Sequence, residues 1–207
     1  MVRKLSKGLL GKKLGCTQLF DEQGHCVGVS VIQAGPCVVA RIRSQETDGY
    51  QAVQLGFEKS TKPLSKPISG QFAKQQLEAH KHLKEFYFAD SAITLGQTLD
   101  VSMFQKDSLV DVRGISKGKG FQGTVKRHHF SRGPMTHGSK SHRIPGSSGS
   151  GTCPGVIRPG KRRAGHLGHE MSCVQNLKVM RVLPEQNILM VRGAIPGPNG
   201  QLVYITG

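Results

Sequence analysis

From Val112 to His169 the sequence contains no aspartate and no glutamate. The same stretch holds twelve cations: Arg113, Lys117, Lys119, Lys126, Arg127, Arg132, Lys140, Arg143, Arg158, Lys161, Arg162 and Arg163. Such a segment cannot neutralise its own charge, so it needs an external anion to become compact. Of the chain's net charge of +16, +12 lies here; the remainder has 17 basic and 13 acidic residues. With 207 residues, the chain reads as one ordinary soluble domain carrying a long basic extension. A balance this basic points to a polyanionic partner, nucleic acid first.

Twelve of the 27 glycines fall between Ser116 and His169, where no hydrophobic period is visible. Glycine lets backbone amides approach phosphate closely, and clustered amides form anion-binding nests. Trp is absent and aromatics are 5% of residues, so stacking platforms for loose single strands are scarce. Folded RNA, read by shape and backbone, fits this composition better.

Outside the extension the pattern is one of short strands. Val27, Val29 and Val31 alternate, as do Val38, Ala40 and Ile42, then Val53, Leu55 and Phe57. Period-two alternation marks strands with one buried face. Asp21 to Gly24, Asp48-Gly49 and Asn199-Gly200 supply turn chemistry. Further strands are expected at Leu109–Ile115, Val174–Val182, Ile188–Val191 and Leu202–Ile205, and one short helix at 72–83. The expected fold is mainly β: a closed or nearly closed barrel built from residues 1–115 and 170–207. The irregular basic arm, 116–169, is inserted between strands and has residues 139–152 at its distal tip.

Two motifs resemble nucleotide sites and fail on inspection. Gly118 to Gly123 spells GxGxxG after a strand, but the chain continues as Val125-Lys126-Arg127-His128-His129, with no acid before Glu170. Gly155 to Lys161 matches the first seven positions of a P-loop, yet Arg162 stands where the magnesium ligand belongs. Six of nine histidines lie in the arm without a local carboxylate to orient them, which argues for polar RNA contacts over metal binding or base catalysis. Neither a cofactor nor a catalytic set is expected. The five cysteines lack metal-ligand spacing and read as reduced, small buried hydrophobes of a cytoplasmic protein. Met1 to Lys13 has no secretory apolar core, and no apolar run approaches membrane length.

The ordered motifs resemble one family closely. Ser116-Lys117-Gly118-Lys119-Gly120-Phe121-Gln122-Gly123, Lys126-Arg127-His128, Thr136-His137-Gly138-Ser139 and Ser141-His142-Arg143-Ile144-Pro145-Gly146-Ser147 carry the likeness. Ala164-Gly165-His166-Leu167-Gly168, Val191-Arg192-Gly193-Ala194-Ile195-Pro196-Gly197-Pro198 and the opening Gly11-Lys12-Lys13-Leu14-Gly15 extend it over nearly the whole chain. It is weakest from Leu83 to Thr98. The sequence is identified as a member of the universal family of large-subunit ribosomal protein three, in its bacterial form.

That resemblance implies a translation-protein-type barrel and an extension running toward the peptidyl-transferase centre. It implies binding to 23S ribosomal RNA near its 3′ end, early in subunit assembly, beside large-subunit proteins fourteen and nineteen, in the cytoplasm. No membrane and no small-molecule substrate enter this reading. The residues assigned to RNA are Arg113, Lys117, Lys119, Lys126, Arg127, His128, Arg132, His137, Lys140, His142, Arg143, Arg158, Lys161, Arg162 and Arg163. Gly146, Ser147, Ser148, Gly149 and Ser150 are assigned to the tip. Cys16 stands where many bacterial members have Met, and Ser150 where some carry a methylated glutamine. The competing function is an RNA-modifying enzyme with an RNA-guiding arm, which would need the cofactor or acid–base motif rejected above.

Overall fold

In a computed structural model, residues 7–88 and 93–207 are described. The chain runs β1 (Gly8–Phe20), β2 (Cys26–Ala34), β3 (Cys37–Arg43), α1 (Gln45–Asp48), β4 (Ala52–Lys59), α2 (Lys66–Lys74), β5 (His80–Phe86) and β6 (Thr98–Leu99). It continues through β7 (Leu109–Ile115), β8 (Phe121–Gln122), α3 (Thr124–His128), β9 (Gly165–His166), β10 (Met171–Leu183), β11 (Ile188–Arg192) and β12 (Leu202–Thr206). Contacts divide it into two compact units, residues 117–170 and the remainder.

The larger unit is built on a closed barrel with strand order β1-β12-β7-β10-β11-β2. Every pairing is antiparallel. Its interior is filled by branched aliphatics, the residues that suit a pleated, half-buried surface. Leu9, Ile32, Val110, Val112, Val179, Leu189, Val191, Val203 and Ile205 are fully buried. Closure leaves these strands few open edges. β7 and β10 are hydrogen-bonded neighbours, with Ile115 opposite Met171. The insertion therefore interrupts the chain between two paired barrel strands. Near that point the buried Lys13 ammonium donates to the carbonyls of Ile195 and Gly197, both at 2.9 Å, and so fixes the loop before β12.

A second sheet, ordered β5-β4-β3-β6, packs into the same core through Val39, Val53, Leu55, Phe57 and Phe86. α1 turns β3 into β4: the Ser44 hydroxyl accepts from the Thr47 amide, and Gly49 closes the turn at φ 78°. Only glycine adopts that left-handed conformation without strain. The Asp48 carboxylate binds Arg43 and lies 3.2 Å from Arg41. The Arg43 contact holds Asp48 below its ordinary pKa of 3.8. Lys12, 2.8 Å away, likewise lowers Glu58.

The strands expected from alternation are present, with differences of detail. In β3 the buried residues are Cys37, Val39 and Ala40; of the expected Val38, Ala40 and Ile42, only Ala40 is buried, and Ile42 is 43% exposed. A register shift between Val39 and Arg41 changes which side chains point inward. The helix expected at 72–83 lies at Lys66–Lys74, with Pro67 in its first turn. Phe72 is its buried residue. Gln76 has φ 55°, and from His80 the chain is strand, paired to β4 from Lys59 to Val53. Tertiary pairing overrides a weak helical pattern there. Part of the segment of weakest family likeness, residues 89–92, lies outside the described residues. The cysteines also differ from expectation: only Cys37 is buried, and burial pushes its thiol up to about 12. Cys16, Cys26, Cys153 and Cys173 are exposed.

Candidate nucleic-acid interface

The inserted unit has little regular structure, so its order must come from specific contacts. β8 and β9 form a two-residue ladder, Phe121 opposite His166 and Gln122 opposite Gly165. The ladder continues as the Lys119 amide donates to the Leu167 carbonyl at 2.9 Å and the Leu167 amide to Gly120 at 3.0 Å. Gly168, at φ 74°, lies so close that a Cβ would stand 2.2 Å from the Lys117 carbonyl oxygen.

α3 comes directly after β8, and it carries three basic residues in its last turn, Lys126, Arg127 and His128. The GxGxxG segment does lead into a helix, but one of five residues with a cationic surface. This is not the apolar helix of a dinucleotide site. No helix begins after Lys161 either; the chain stays irregular to β9. Arg127 Nη1 donates to the Arg163 carbonyl at 2.9 Å, and His128 Nε2 lies 3.0 Å from the same oxygen. The Arg127 guanidinium lies over Gly165, where a Cβ would stand 2.5 Å from it. Farther along, the Gly133 amide donates to the His142 carbonyl at 2.9 Å. His142 Nδ1 in turn lies 2.9 Å from the Pro134 carbonyl.

These contacts sort the residues assigned to RNA into two groups. Arg127, His128 and His142 are half-buried and hold the insertion's own backbone. Lys117, Lys119, Lys126, Arg132, His137, Lys140, Arg143, Arg158, Lys161 and Arg162 are exposed. Arg113 belongs to the barrel unit, exposed on β7 between Cys173 and Tyr204. Arg163 is half-buried, and its guanidinium donates to the Ser148 hydroxyl. Ser148 is thus within one arginine's reach of the strand that closes the insertion, whereas the sequence pattern alone sets the two apart. Gly146, Ser147, Gly149 and Ser150 are exposed. The Ser147 hydroxyl accepts from the Gly149 amide at 3.2 Å, and Gly149 has φ 127°.

Sequence reasoning misses four exposed aliphatic side chains of the insertion. Met135 is 57% exposed, Ile144 62%, Val156 66% and Ile157 55%. They obey no period, so only their presence in an otherwise polar, glycine-rich segment marks them. Among the described residues no group of three or more His, Cys, Asp or Glu side chains is arranged to hold a metal ion. No helix there is long and apolar enough to cross a membrane.

A closed antiparallel barrel interrupted by an acid-free cationic insertion defines a class of proteins built to meet a polyanion. The sequence pattern of the family described as Ribosomal protein L3 matches residues 65–185, which includes the whole insertion. The chain is 50% identical over 204 residues to the large ribosomal subunit protein uL3 of Thermosynechococcus vestitus, covering 98% of this chain and 96% of that one. It is 49% identical over 203 residues to the uL3 of Trichormus variabilis, at 97% and 96% coverage. It is also 44% identical over 200 residues to the uL3c of Phaeodactylum tricornutum, at 96% and 97%. The chain belongs to the ribosomal protein L3 family. It is a non-enzymatic constituent of the large ribosomal subunit, which in bacteria is a cytoplasmic particle.

Proposed function

We propose that the chain binds 23S ribosomal RNA near its 3′ end through the insertion, acts early in subunit assembly, and extends the insertion as an arm toward the peptidyl-transferase centre. One observation carries this reading. Nine lysines and arginines, Lys117, Lys119, Lys126, Arg132, Lys140, Arg143, Arg158, Lys161 and Arg162, are exposed in a segment with no carboxylate before Glu170. Cations so placed can be neutralised by phosphates, and displaced counterions drive the association. Arg113 and His137 add exposed donors, and Arg163 with Ser148 shapes the loop that approaches the RNA. Arg127, His128 and His142 serve by holding the scaffold. Small residues, Gly146 to Ser150, let backbone come close to packed RNA. Large-subunit proteins fourteen and nineteen are the proposed neighbours.

Co-sedimentation tests this reading. The chain should travel with the large subunit in one-to-one amount and appear in its earliest precursors. It should also bind a protein-free 3′-region fragment of 23S RNA. A chain found in substoichiometric amount, or bound to no RNA without other proteins, would overturn it.

A further inference from the structure

The β8–β9 ladder has two faces, because successive side chains along a strand point to opposite sides. Phe121 stands opposite His166, and Gln122 opposite Gly165. Directly opposed residues share a face. The Gln122–Gly165 face is filled from within the insertion. A Cβ on Gly165 would stand 2.5 Å from Arg127 Nη1, which is held there by its bond to the Arg163 carbonyl. The Gln122 side-chain amide donates back to the Lys119 carbonyl.

The Phe121–His166 face has no such cover. Phe121 is 74% exposed, and His166 opposite it is exposed too. Among the described residues Phe121 stacks with no other ring, and no cation stands over its face. Phe130, by contrast, is half-buried and lies against His128, with ring centroids 6.0 Å apart. Residues 117–170 contain no Tyr or Trp and no third Phe. Phe121 is therefore the aromatic ring that the insertion turns outward instead of using on itself.

Charge decides the class of occupant. The unit of residues 117–170 contains a single carboxylate, Glu170, at its very end. The segments leading into and out of the ladder carry exposed Lys117, Lys119 and Lys126, then Lys161 and Arg162. Arg127 adds a guanidinium on the covered face. A lysine- or arginine-rich protein segment meets like charge here, whereas a ribose-phosphate chain is attracted. A nucleobase on that chain offers Phe121 a flat π surface. Bases inside a helix are stacked on one another, so the ring is open only to one that is unstacked.

We propose that Phe121 stacks on an unpaired nucleobase of the large-subunit ribosomal RNA. His166 offers its ring nitrogens to the same nucleotide, and the exposed cations beside the ladder take the neighbouring phosphates. Every base has a π face, so this contact selects an unstacked nucleotide and not a particular base. It deepens the RNA-binding reading and rests on it.

The chain contains no tryptophan, so Phe121→Trp places a single fluorescent reporter on the ladder. Its emission is followed in the free chain, with a protein-free 3′-region fragment of 23S RNA, and in purified large subunits. Stacking on a base should quench the emission in both RNA-bound states, while affinity for the fragment stays at the wild-type value. Phe121→Leu keeps an apolar side chain but loses the π face. It should bind the fragment about fivefold to a hundredfold more weakly, the range of one base–aromatic stack. The slope of its log affinity against log salt should match wild type, because no phosphate contact is lost. Emission of Phe121→Trp that the fragment leaves unchanged would overturn the proposal, whatever Phe121→Leu does to the ladder. So would wild-type affinity in Phe121→Leu, or an emission change confined to the complete subunit, which makes the occupant a protein. A wild-type chain that does not bind the fragment defeats the RNA-binding reading and this contact with it. Normal wild-type binding beside an unquenched Phe121→Trp chain defeats this contact alone.

Discussion

Arg127 and Arg163, thirty-six residues apart, meet through a 2.9 Å bond from the Arg127 guanidinium to the Arg163 carbonyl. A cation of the acid-free insertion thus holds the insertion's own backbone. The second cation is thereby set so that its own side chain reaches Ser148.

Removing that bond should loosen the insertion and leave the barrel intact. Arg127→Ala is expected to cost about 1.5 kcal/mol locally, the low end for a charged donor because the pair is half-hydrated. Gly165→Ala should act through the same contact, since its Cβ would fall 2.5 Å from the Arg127 guanidinium. The two effects should therefore not add. Amide exchange across residues 117–123 and 165–168 reads the loosening, and additive losses in the double variant would break the link.

Bulk near Ser148 should harm assembly rather than folding. Ser148→Trp displaces the Arg163 contact, and Gly149→Trp forces a side chain onto a backbone at φ 127°. The free proteins should melt at the wild-type temperature, because the barrel core is untouched. Large subunits carrying either variant should assemble slowly or respond abnormally to drugs acting at the peptidyl-transferase centre. Normal assembly and drug response with both would show that this loop does not pack against RNA.

Acid should destabilise the barrel unit through Asp48 and Glu58. Both have folded pKa values held below their ordinary 3.8 and 4.5, by Arg43 and Lys12 respectively. A depressed carboxylate contributes stability that is complete above its unfolded pKa and lost as pH falls through the folded value. The melting temperature should hold from neutral pH down to about 5, then fall below about 4. In Asp48→Asn that acid-dependent loss should be smaller. An identical pH profile would remove the Asp48–Arg43 pair from the stability of the β3–β4 hairpin.

Several strands were legible because Val53 to Phe57 in the second sheet and Leu202 to Ile205 in the barrel carry the two-residue period that a buried face imposes, whereas in β2 the buried face falls on Ser30, Ile32 and Ala34 rather than on Val27 and Val31. β1 was not singled out, since its glycines and lysines hide the period; Lys13 is buried by bonds to two carbonyls that no local pattern announces. β5 reads as charged because it lies at a sheet edge, and its few buried residues, His80 and Phe86, are too far apart to show a period. In the insertion, charge marked the segment but did not tell which cations bind its own backbone. Arg127 and Arg162 look alike in sequence. Only the approach of residue 163 and the absence of a side chain at Gly165 divert Arg127 inward.

The salt dependence of binding to a 3′-region fragment of 23S RNA tests the central claim most directly. Three exposed insertion cations, Arg158, Lys161 and Arg162, are replaced by Ala in one variant, and three exposed barrel-unit lysines, Lys62, Lys66 and Lys74, in another. Each lost phosphate contact removes about 0.7–0.9 from the slope of log affinity against log salt. The account predicts a slope flattened by about two units or more for the insertion variant, and one close to wild type for the lysine variant. An unchanged slope for the insertion variant, or equal flattening in both, would contradict it.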